Sequence, residues 1–311
     1  MATQSHSSPP RDRELLTSFE RAFDPARPER LPAGSRLVGF GEISMVFRVP
    51  GVDGRVVKRV AGLKRDETAE YREVVESYVS RLREHGVNVA EVETIEVEPE
   101  SGRRIVYLVQ EAHDPDRFAN RRAAGATDEQ LETLLLTVLG HVEAVLATGA
   151  GLDAQLSNWV LARPDSFDEL TYLDLTTPML RERGRERLDL AFVLRSLPLP
   201  IRLGMRAARA DRAMMSRYYD RRTVAMDIVS NLIKEGLSRR LPFAIRVVNE
   251  WLRGIGERAL TLQEVRADYR NDARMWAFLH WIRRPDRWVR KRLLGRTYDW
   301  GIAPRIDRRT R

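Results

Sequence analysis

The spacing of apolar residues changes once along this chain, and that change constrains the fold more than any other feature. Up to residue 112 most apolar runs are short and alternate with polar residues, as in half-buried strands, while residues 66–85 have helical spacing. Beyond residue 112 the spacing is helical, apart from two short runs typical of a β-hairpin. The sequence therefore predicts an α+β fold with two lobes, a small β-rich lobe with one long helix and a larger, mainly helical lobe.

The boundaries of the predicted elements are marked by turn and cap residues. Gly86 ends the helix of residues 66–85, and Thr127 with Gln130 forms a capping-box pattern before a second long helix. A short helix is predicted over 14–23, and helices fill most of 187–280. The predicted strands are 36–40, 45–49, 55–60, 87–97 and 104–110, followed by a hairpin made of 158–162 and 170–175.

Composition excludes several classes of protein. The 311 residues include no cysteine, which rules out disulfides, thiolate metal sites and cysteine nucleophiles. No apolar run reaches the roughly 18 residues that a membrane-spanning helix needs. Residues 1–13 are polar and lack the apolar core of a signal peptide, so we expect a cytoplasmic protein.

Positive charge is concentrated at one end of the chain. The formal net charge is +8, and residues 281–311 alone account for an equal excess, so the remainder is close to neutral. Charge and spacing together divide the chain into a flexible tail (1–13), the β-rich lobe (14–112), the helical lobe (113–270) and a basic C-terminal segment rich in Trp and Arg (271–311).

Two features of the β-rich lobe suit contact with a phosphate. Gly39 and Gly41 lie between two predicted strands, where glycine lets the backbone approach a ligand and expose its N–H groups. Lys58 is a rare lysine in an arginine-rich chain and lies in an apolar strand, where a compact ammonium could meet an anionic oxygen. An ordinary β-turn and a strand-edge lysine that reaches solvent are the alternatives.

Carboxylates and an amide supply the second group of candidate residues. Asp153 and Asn158 share one loop, where one could accept a hydroxyl proton and the other bind magnesium; ordinary turn chemistry is the alternative. Asp174 ends an apolar strand, where a carboxylate is costly to bury unless it is paired or metal-bound. Glu73 or Glu76 on the first long helix could fix Lys58, and we prefer Glu76, although a solvated helix face is the usual place for either.

The order of these residues resembles the protein kinase-like superfamily: a glycine hairpin, a strand lysine, a helix glutamate, an Asp-x4-Asn loop and an Asp after a hairpin. The resemblance covers residues 35–180 and is closest to the aminoglycoside and choline phosphotransferase branch. The long activation segment that ends in Ala-Pro-Glu is absent after Asp174, as it is in that branch.

The resemblance implies a role for each residue, with ATP and Mg as cofactors. Gly39 and Gly41 would cover the phosphates, Lys58 would contact them while held by Glu76, and Glu111 would belong to the hinge that meets adenine. Asp153 would be the catalytic base or orient the hydroxyl. The metal ligands would be Asn158 and Asp174.

Three departures from the kinase pattern leave catalysis open. Ser44 stands where a third glycine is common, Gly-Ala-Gly-Leu precedes Asp153 in place of a histidine-containing motif, and Leu-Thr follows Asp174 in place of Phe-Gly. None removes a phosphate or metal contact. The expected function is transfer of the ATP γ-phosphate to a hydroxyl of a small molecule, and the alternative is a pseudokinase-like nucleotide-binding or scaffold protein.

The basic C-terminal segment suggests partners of its own. Its tryptophans, Trp276, Trp281, Trp288 and Trp300, are interleaved with arginines. We prefer a terminal helix that packs its tryptophans on the helical lobe and turns its arginines to water. An anionic membrane surface or acidic partner bound by 281–311 is the alternative, which would place the protein peripherally at the inner membrane face; nucleic acid is favoured least.

Overall fold

The computed structural model describes residues 10–41, 44–100, 103–189, 191–207, 214–295 and 298–301. The helices are α1 (Pro10–Ala22), α2 (Thr68–Glu84), α3 (Ala119–Gly125), α4 (Asp128–Leu146), α5 (Ala191–Leu194), α6 (Leu199–Ala207), α7 (Arg221–Lys234), α8 (Leu241–Gly254) and α9 (Leu262–Arg292). The strands are β1 (Arg36–Phe40), β2 (Ser44–Arg48), β3 (Arg55–Val60), β4 (Asn88–Val89), β5 (Val92–Glu100), β6 (Arg103–Glu111), β7 (Trp159–Leu161), β8 (Leu170–Tyr172), β9 (Arg181–Glu182) and β10 (Arg185–Glu186). The α+β class is confirmed.

The first part of the chain forms an antiparallel five-stranded sheet in the order β1-β2-β3-β6-β5. Strand alternation gives the sheet two buried faces. Val57, Tyr107 and their neighbours on one face pack against α1, while Val60 and Leu108 on the other pack against α2. The predicted single strand 87–97 is divided, because β4 leaves this sheet and pairs in parallel with β8.

The N-terminal boundary differs from the prediction. Helix α1 begins at Pro10, so residues 10–13 belong to a helix rather than to a flexible tail; residues 1–9 lie outside the described part. The physical reason is a contact within these residues: Asp12, in the first turn of the helix, is buried and pairs with Arg55 on β3, which holds this turn against the sheet.

The second part is built around α4, which begins with the predicted capping box of Thr127 and Gln130. Its leucine and valine face is buried against α7 and α8. The predicted hairpin is confirmed as β7 and β8, and β4 extends it to a three-stranded sheet that joins the two parts of the molecule.

The C-terminal segment does not begin at residue 271, since that position lies inside α9. This helix starts at its own capping box, Thr261 with Glu264, and continues through Pro285 for 31 residues, roughly 46 Å. Tyr298 and Trp300 then pack against Ala61 at the end of β3. Residues 302–311 lie outside the described part. Among the described helices, none combines the length and apolarity needed to cross a membrane.

A fully buried ion pair ties these segments together. Arg59 on β3 donates to both carboxylate oxygens of Glu20 on α1, at 2.8 and 2.7 Å, and to the backbone oxygen of Asp299 at 2.6 Å. Tyr107 donates its hydroxyl to the same carboxylate. Burial alone would lower the pKa of Arg59, but the charge of Glu20 raises it above its ordinary value.

Replacing Glu20→Gln should therefore destabilise the protein by about 3 kcal/mol or more, because Arg59 keeps its charge in the interior without a counter-charge. Glu14→Gln, on the exposed side of the same helix, is the matched control and should stay within about 0.5 kcal/mol of wild type. Urea unfolding measures both changes. Equal midpoints for the two variants would show that the buried pair contributes nothing.

Candidate functional site

A cleft of about 640 Å³ lies between the five-stranded sheet and the helical part. That volume is within the usual range for small-molecule and cofactor sites. All but one of the residues predicted for the site line this cleft. They are Gly39, Gly41, Lys58, Glu111, Asp153, Asn158 and Asp174.

The glycine hairpin forms one wall of the cleft. The backbone N–H of Gly41 donates to the oxygen of Ser44 at 2.8 Å and closes the turn between β1 and β2. A Cβ at Gly39 would lie 3.3 Å from Val46 Cγ2, and one at Gly41 would lie 2.9 Å from Ser44 Oγ. A Cβ at either position would therefore crowd a neighbouring side chain of the hairpin. Residues 42–43 at its tip lie outside the described part.

Lys58 crosses from the sheet to the helical part. Its Nζ donates to the backbone oxygen of Leu173 at 2.6 Å, which places the ammonium beside Asp174. Burial lowers the pKa of Lys58, and the charge of Asp174 opposes that effect. A half-buried lysine near a carboxylate is the cation that the predicted phosphate contact requires.

The expectation that Glu76 holds Lys58 is wrong. Glu76 is exposed and does not line the cleft, and Glu73 pairs with Arg187 at 2.9 Å. The reason is helical phase. At ~100° per residue, both glutamates lie opposite the buried face that includes Tyr71 and Tyr78.

Tyrosines on α2 reach the cleft loops in place of the glutamate. Tyr71 donates its hydroxyl to the backbone oxygen of Thr176, and Tyr78 donates to that of Gly151, both at 2.8 Å. These bonds fix the segments that follow Asp174 and precede Asp153. Helix α2 thus positions the site through neutral hydrogen bonds rather than through an ion pair with Lys58.

Asp153 is half-buried on the loop between α4 and β7. Its backbone oxygen accepts from Asn158 Nδ2 at 3.0 Å and from the Tyr172 hydroxyl at 3.2 Å, so the Asp-x4-Asn loop is closed on itself. Burial, followed by the charges of Asp227 and Asp174, raises the pKa of Asp153 to about 8. At neutral pH the group is therefore mostly protonated, with a pKa close enough to the operating pH to suit proton transfer.

Asp174 and Asn158 each keep an oxygen available. Asp174 Oδ1 accepts from the backbone N–H and the hydroxyl of Thr176, at 3.3 and 2.7 Å, while its Oδ2 accepts no hydrogen bond from the described residues. Asn158 donates through Nδ2, and its Oδ1 accepts none among the same residues. No cluster of three or more His, Asp or Glu that could hold a metal occurs in the described ranges. The donor set is thus one carboxylate and one amide oxygen, both hard ligands that suit Mg²⁺.

The end of β6 brings unpaired polar atoms to the cleft. Gln110 is buried, and its Nε2 has no hydrogen-bond partner. Neither ring nitrogen of His113 has a partner, and burial lowers the pKa of that imidazole. Glu111 lies exposed between them. These unmet donors and acceptors fit a ligand with polar edges, since buried polar atoms without partners are unfavourable.

Sequence reasoning missed Asp227, the third carboxylate of the site. It lies on α7, accepts from Gln155 Nε2 at 3.1 Å and pairs with Arg217 at 2.9 Å. Burial is the main cause that raises the pKa of Asp227. The signal was an acidic residue inside an apolar helical run, which is the same argument that identified Asp174 in a strand.

The residues of this cleft lie within the part of the chain that matches a known protein family. The chain belongs to the DUF6206 family, a family of unknown function. The family model matches residues 35–287, from the start of β1 into the last turns of α9. It therefore includes every cleft residue named above and leaves out α1. No curated protein matches the chain.

Replacing Asp153→Asn should stabilise the folded protein. The margin, which is the difference in stability between the variant and wild type, should grow with pH. The raised pKa of Asp153 means that the unfolded chain ionises first, so folding becomes less favourable as pH rises from about 4 to about 8. Asparagine removes that cost. Thermal melts at pH 5, 7 and 8 measure the margin.

Asp66→Asn is the matched control, because Asp66 is exposed, and it should give no margin at any of the three pH values. A margin for Asp153→Asn that stays constant with pH would mean that Asp153 is ionised throughout, contrary to its surroundings.

Proposed function

We propose that this protein is a kinase-like phosphotransferase that binds Mg-ATP in the cleft and transfers the γ-phosphate to a hydroxyl group of a small molecule. One observation carries the proposal. Lys58, the loop that holds Asp153 and Asn158, and Asp174 come from three segments of the chain and line one cleft next to a glycine hairpin. A cation, a proton acceptor and two oxygen ligands are the groups that phosphoryl transfer needs.

The topology around the cleft supports the same proposal. An antiparallel five-stranded sheet with a helix after its third strand, followed by a helical part with a hairpin beside the catalytic loop, resembles the two lobes of the protein kinase-like fold. The candidate residues fall on the matching elements. Lys58 lies on the third strand, Asp153 on the loop before the hairpin and Asp174 directly after it.

Lys58 is suited to hold phosphate oxygens even though no glutamate positions it. An ammonium has three N–H donors, and the bond to Leu173 uses one of them. The other two remain for a ligand in the cleft. Its burial strengthens these contacts, because electrostatic interactions are less screened away from water.

Asp174 Oδ2 and Asn158 Oδ1 would hold the magnesium ion. A site with one carboxylate and one amide suits Mg²⁺ when phosphate oxygens and waters complete its shell, and the ion would supply charge neutralisation at the phosphates. Asp153, with its raised pKa, would orient the acceptor hydroxyl and take its proton.

Of the remaining residues that line the cleft, one group would contact ATP and the other the hydroxyl acceptor. Val46 and Val56 of the sheet, with Gln110 and His113 at the end of β6, would enclose the adenine. The acceptor would lie towards Met215, Asp227 and Trp276, contributed by the chain beyond residue 180.

A pseudokinase-like nucleotide-binding or scaffold protein is the second candidate, and a specific observation favours it. Helix α2 supplies no carboxylate to Lys58, which instead bonds to a backbone oxygen. Kinase-like enzymes use such a carboxylate to place the lysine for catalysis. Nucleotide binding without phosphate transfer would fit that arrangement.

Nucleotide binding is tested by thermal melts with ATP and magnesium against ATP and chelator. A ligand at 100 times its dissociation constant adds about 2.7 kcal/mol, which is a rise of several degrees at most. Asp174→Asn and Lys58→Met should remove the rise. Lys64→Met, at an exposed lysine, and Glu76→Gln should leave it intact. No rise at millimolar nucleotide in the wild type would overturn the proposal.

Turnover separates the two candidate functions. In the enzyme, release or transfer of the labelled γ-phosphate should occur with wild type and fall by at least about 100-fold in Asp153→Asn, while the magnesium-dependent melting shift stays. A wild type that binds Mg-ATP but shows no transfer or hydrolysis above the Asp153→Asn background would favour the scaffold protein.

A further inference from the structure

Helix α9 exposes a stripe of large apolar side chains, which we term the α9 stripe: Met275, Phe278, Trp281, Trp288 and Val289. Met275, Phe278 and Trp281 are spaced by three residues, and Trp288 and Val289 follow seven and eight residues after Trp281. At ~100° per residue all five lie within an arc of ~140°. Trp281 is 67% exposed and Trp288 58% exposed. Arg283, on the opposite side of the helix, is buried, and so is Ile282 at the edge of the stripe. Exposed aromatic residues gathered on one helix face mark an interaction surface.

Neighbouring segments extend the apolar surface. Leu293 and Leu294, directly after α9, are exposed. Helix α6 packs its Ile201 against Ile282 and presents a further exposed leucine, Leu203. The surface therefore combines aliphatic and aromatic side chains.

A basic pocket of about 260 Å³ adjoins the stripe at Trp288. Its lining residues are Asp24, Ala26, Arg27, Arg287, Trp288, Lys291 and Arg292. Lys291 pairs with Asp24 at 3.3 Å, and Arg287 donates to the backbone oxygen of Ala26 at 2.7 Å. Four cations against one carboxylate leave an excess of positive charge beside the tryptophan, which suits an anionic group such as a phosphate.

We infer that the α9 stripe and the basic pocket together dock this protein on an anionic lipid bilayer. Tryptophan prefers the boundary between headgroups and acyl chains, and arginine on the flanks of an apolar helix face is attracted to anionic lipid. The stripe would enter that boundary while Arg27, Lys291 and Arg292 meet lipid phosphates. The inference does not depend on the proposed function.

The charge and shape of the surface favour an anionic bilayer over two other partners, a second copy of the chain and nucleic acid. A second copy docked through the same surface would bring two basic patches together, because a two-fold interface pairs a patch with itself. Nucleic acid would be bound in a groove with stacking aromatics, whereas this surface is a protruding helix face that includes leucine and methionine, which do not stack on bases.

Vesicle flotation with the full chain tests the inference. The protein should float with vesicles of phosphatidylcholine mixed with anionic phosphatidylglycerol and remain behind with phosphatidylcholine alone. Binding should weaken as salt rises, since the charge attraction is screened.

Two pairs of substitutions separate the apolar and the charged parts. Trp281→Ser with Trp288→Ser, and Arg27→Glu with Arg292→Glu, should each lower the partition coefficient on anionic vesicles roughly tenfold or more. The control variant, Leu136→Ser with Arg239→Glu, replaces an exposed apolar residue on α4 and an exposed arginine before α8 in the same two ways. It should leave binding unchanged. All six positions are exposed, so the three variants should melt like wild type.

Three results would overturn the inference. They are no flotation with anionic vesicles, equal flotation with neutral and anionic vesicles, or undiminished flotation of both the tryptophan and the arginine pairs. If the protein binds no vesicles but forms dimers, and the double tryptophan variant does not, the surface would belong to a second copy. If it binds no vesicles but binds a single-stranded oligonucleotide, and that variant does not, the surface would belong to nucleic acid. Because the nucleotide melting shift is a separate readout, failure here does not affect the proposed function.

Discussion

Two consecutive cations lie on β3, and the two parts of the structure meet around them: Arg59 is fully buried, and Lys58 is half-buried in the wall of the cleft. Strand alternation turns them to opposite faces of the sheet. Arg59 requires Glu20 and the backbone of Asp299, so α1 and the C-terminal segment must cover one face. Lys58 requires the oxygen of Leu173, so the helical part must close against the other face. Both contacts follow from one constraint, because a charge removed from water is unfavourable without a partner.

The helical side of the cleft, opposite the sheet, carries an excess of negative charge. Asp153, Asp174 and Asp227 are close enough for their charges to interact, and burial together with that repulsion favours the protonated form of Asp153. Lys58 and Arg217 offset part of the negative charge. A divalent cation in the same place would offset more of it, which is the role proposed for Mg²⁺ there.

The sequence predicted much of the fold, since short-range patterns settle helices and strands. Alternation placed β1, β2, β3 and β6 within a residue or two but merged β4 and β5 into one strand, and the capping box placed the start of α4. The predictions for Gly39, Lys58 and Asp174 located cleft residues, because glycine spacing and isolated charges in apolar runs are visible in one dimension. The prediction for Glu76 was wrong, although the sequence shows the reason: the apolar residues of α2 define its buried face, and Glu76 lies outside that face.

By itself the sequence determined which segments are helix or strand and which charged residues are unusual for their surroundings. Only the tertiary structure decided which of those charges meet. Lys58 and Leu173 are 115 residues apart, and Gln155 and Asp227 are 72 apart. The tertiary structure also decided which side of α9 is covered, burying Arg283 and exposing Trp281, the reverse of what their hydrophobicity suggests. The physical reason is that secondary structure follows from neighbours within a few residues, whereas burial and charge compensation depend on whatever the fold packs against each side chain.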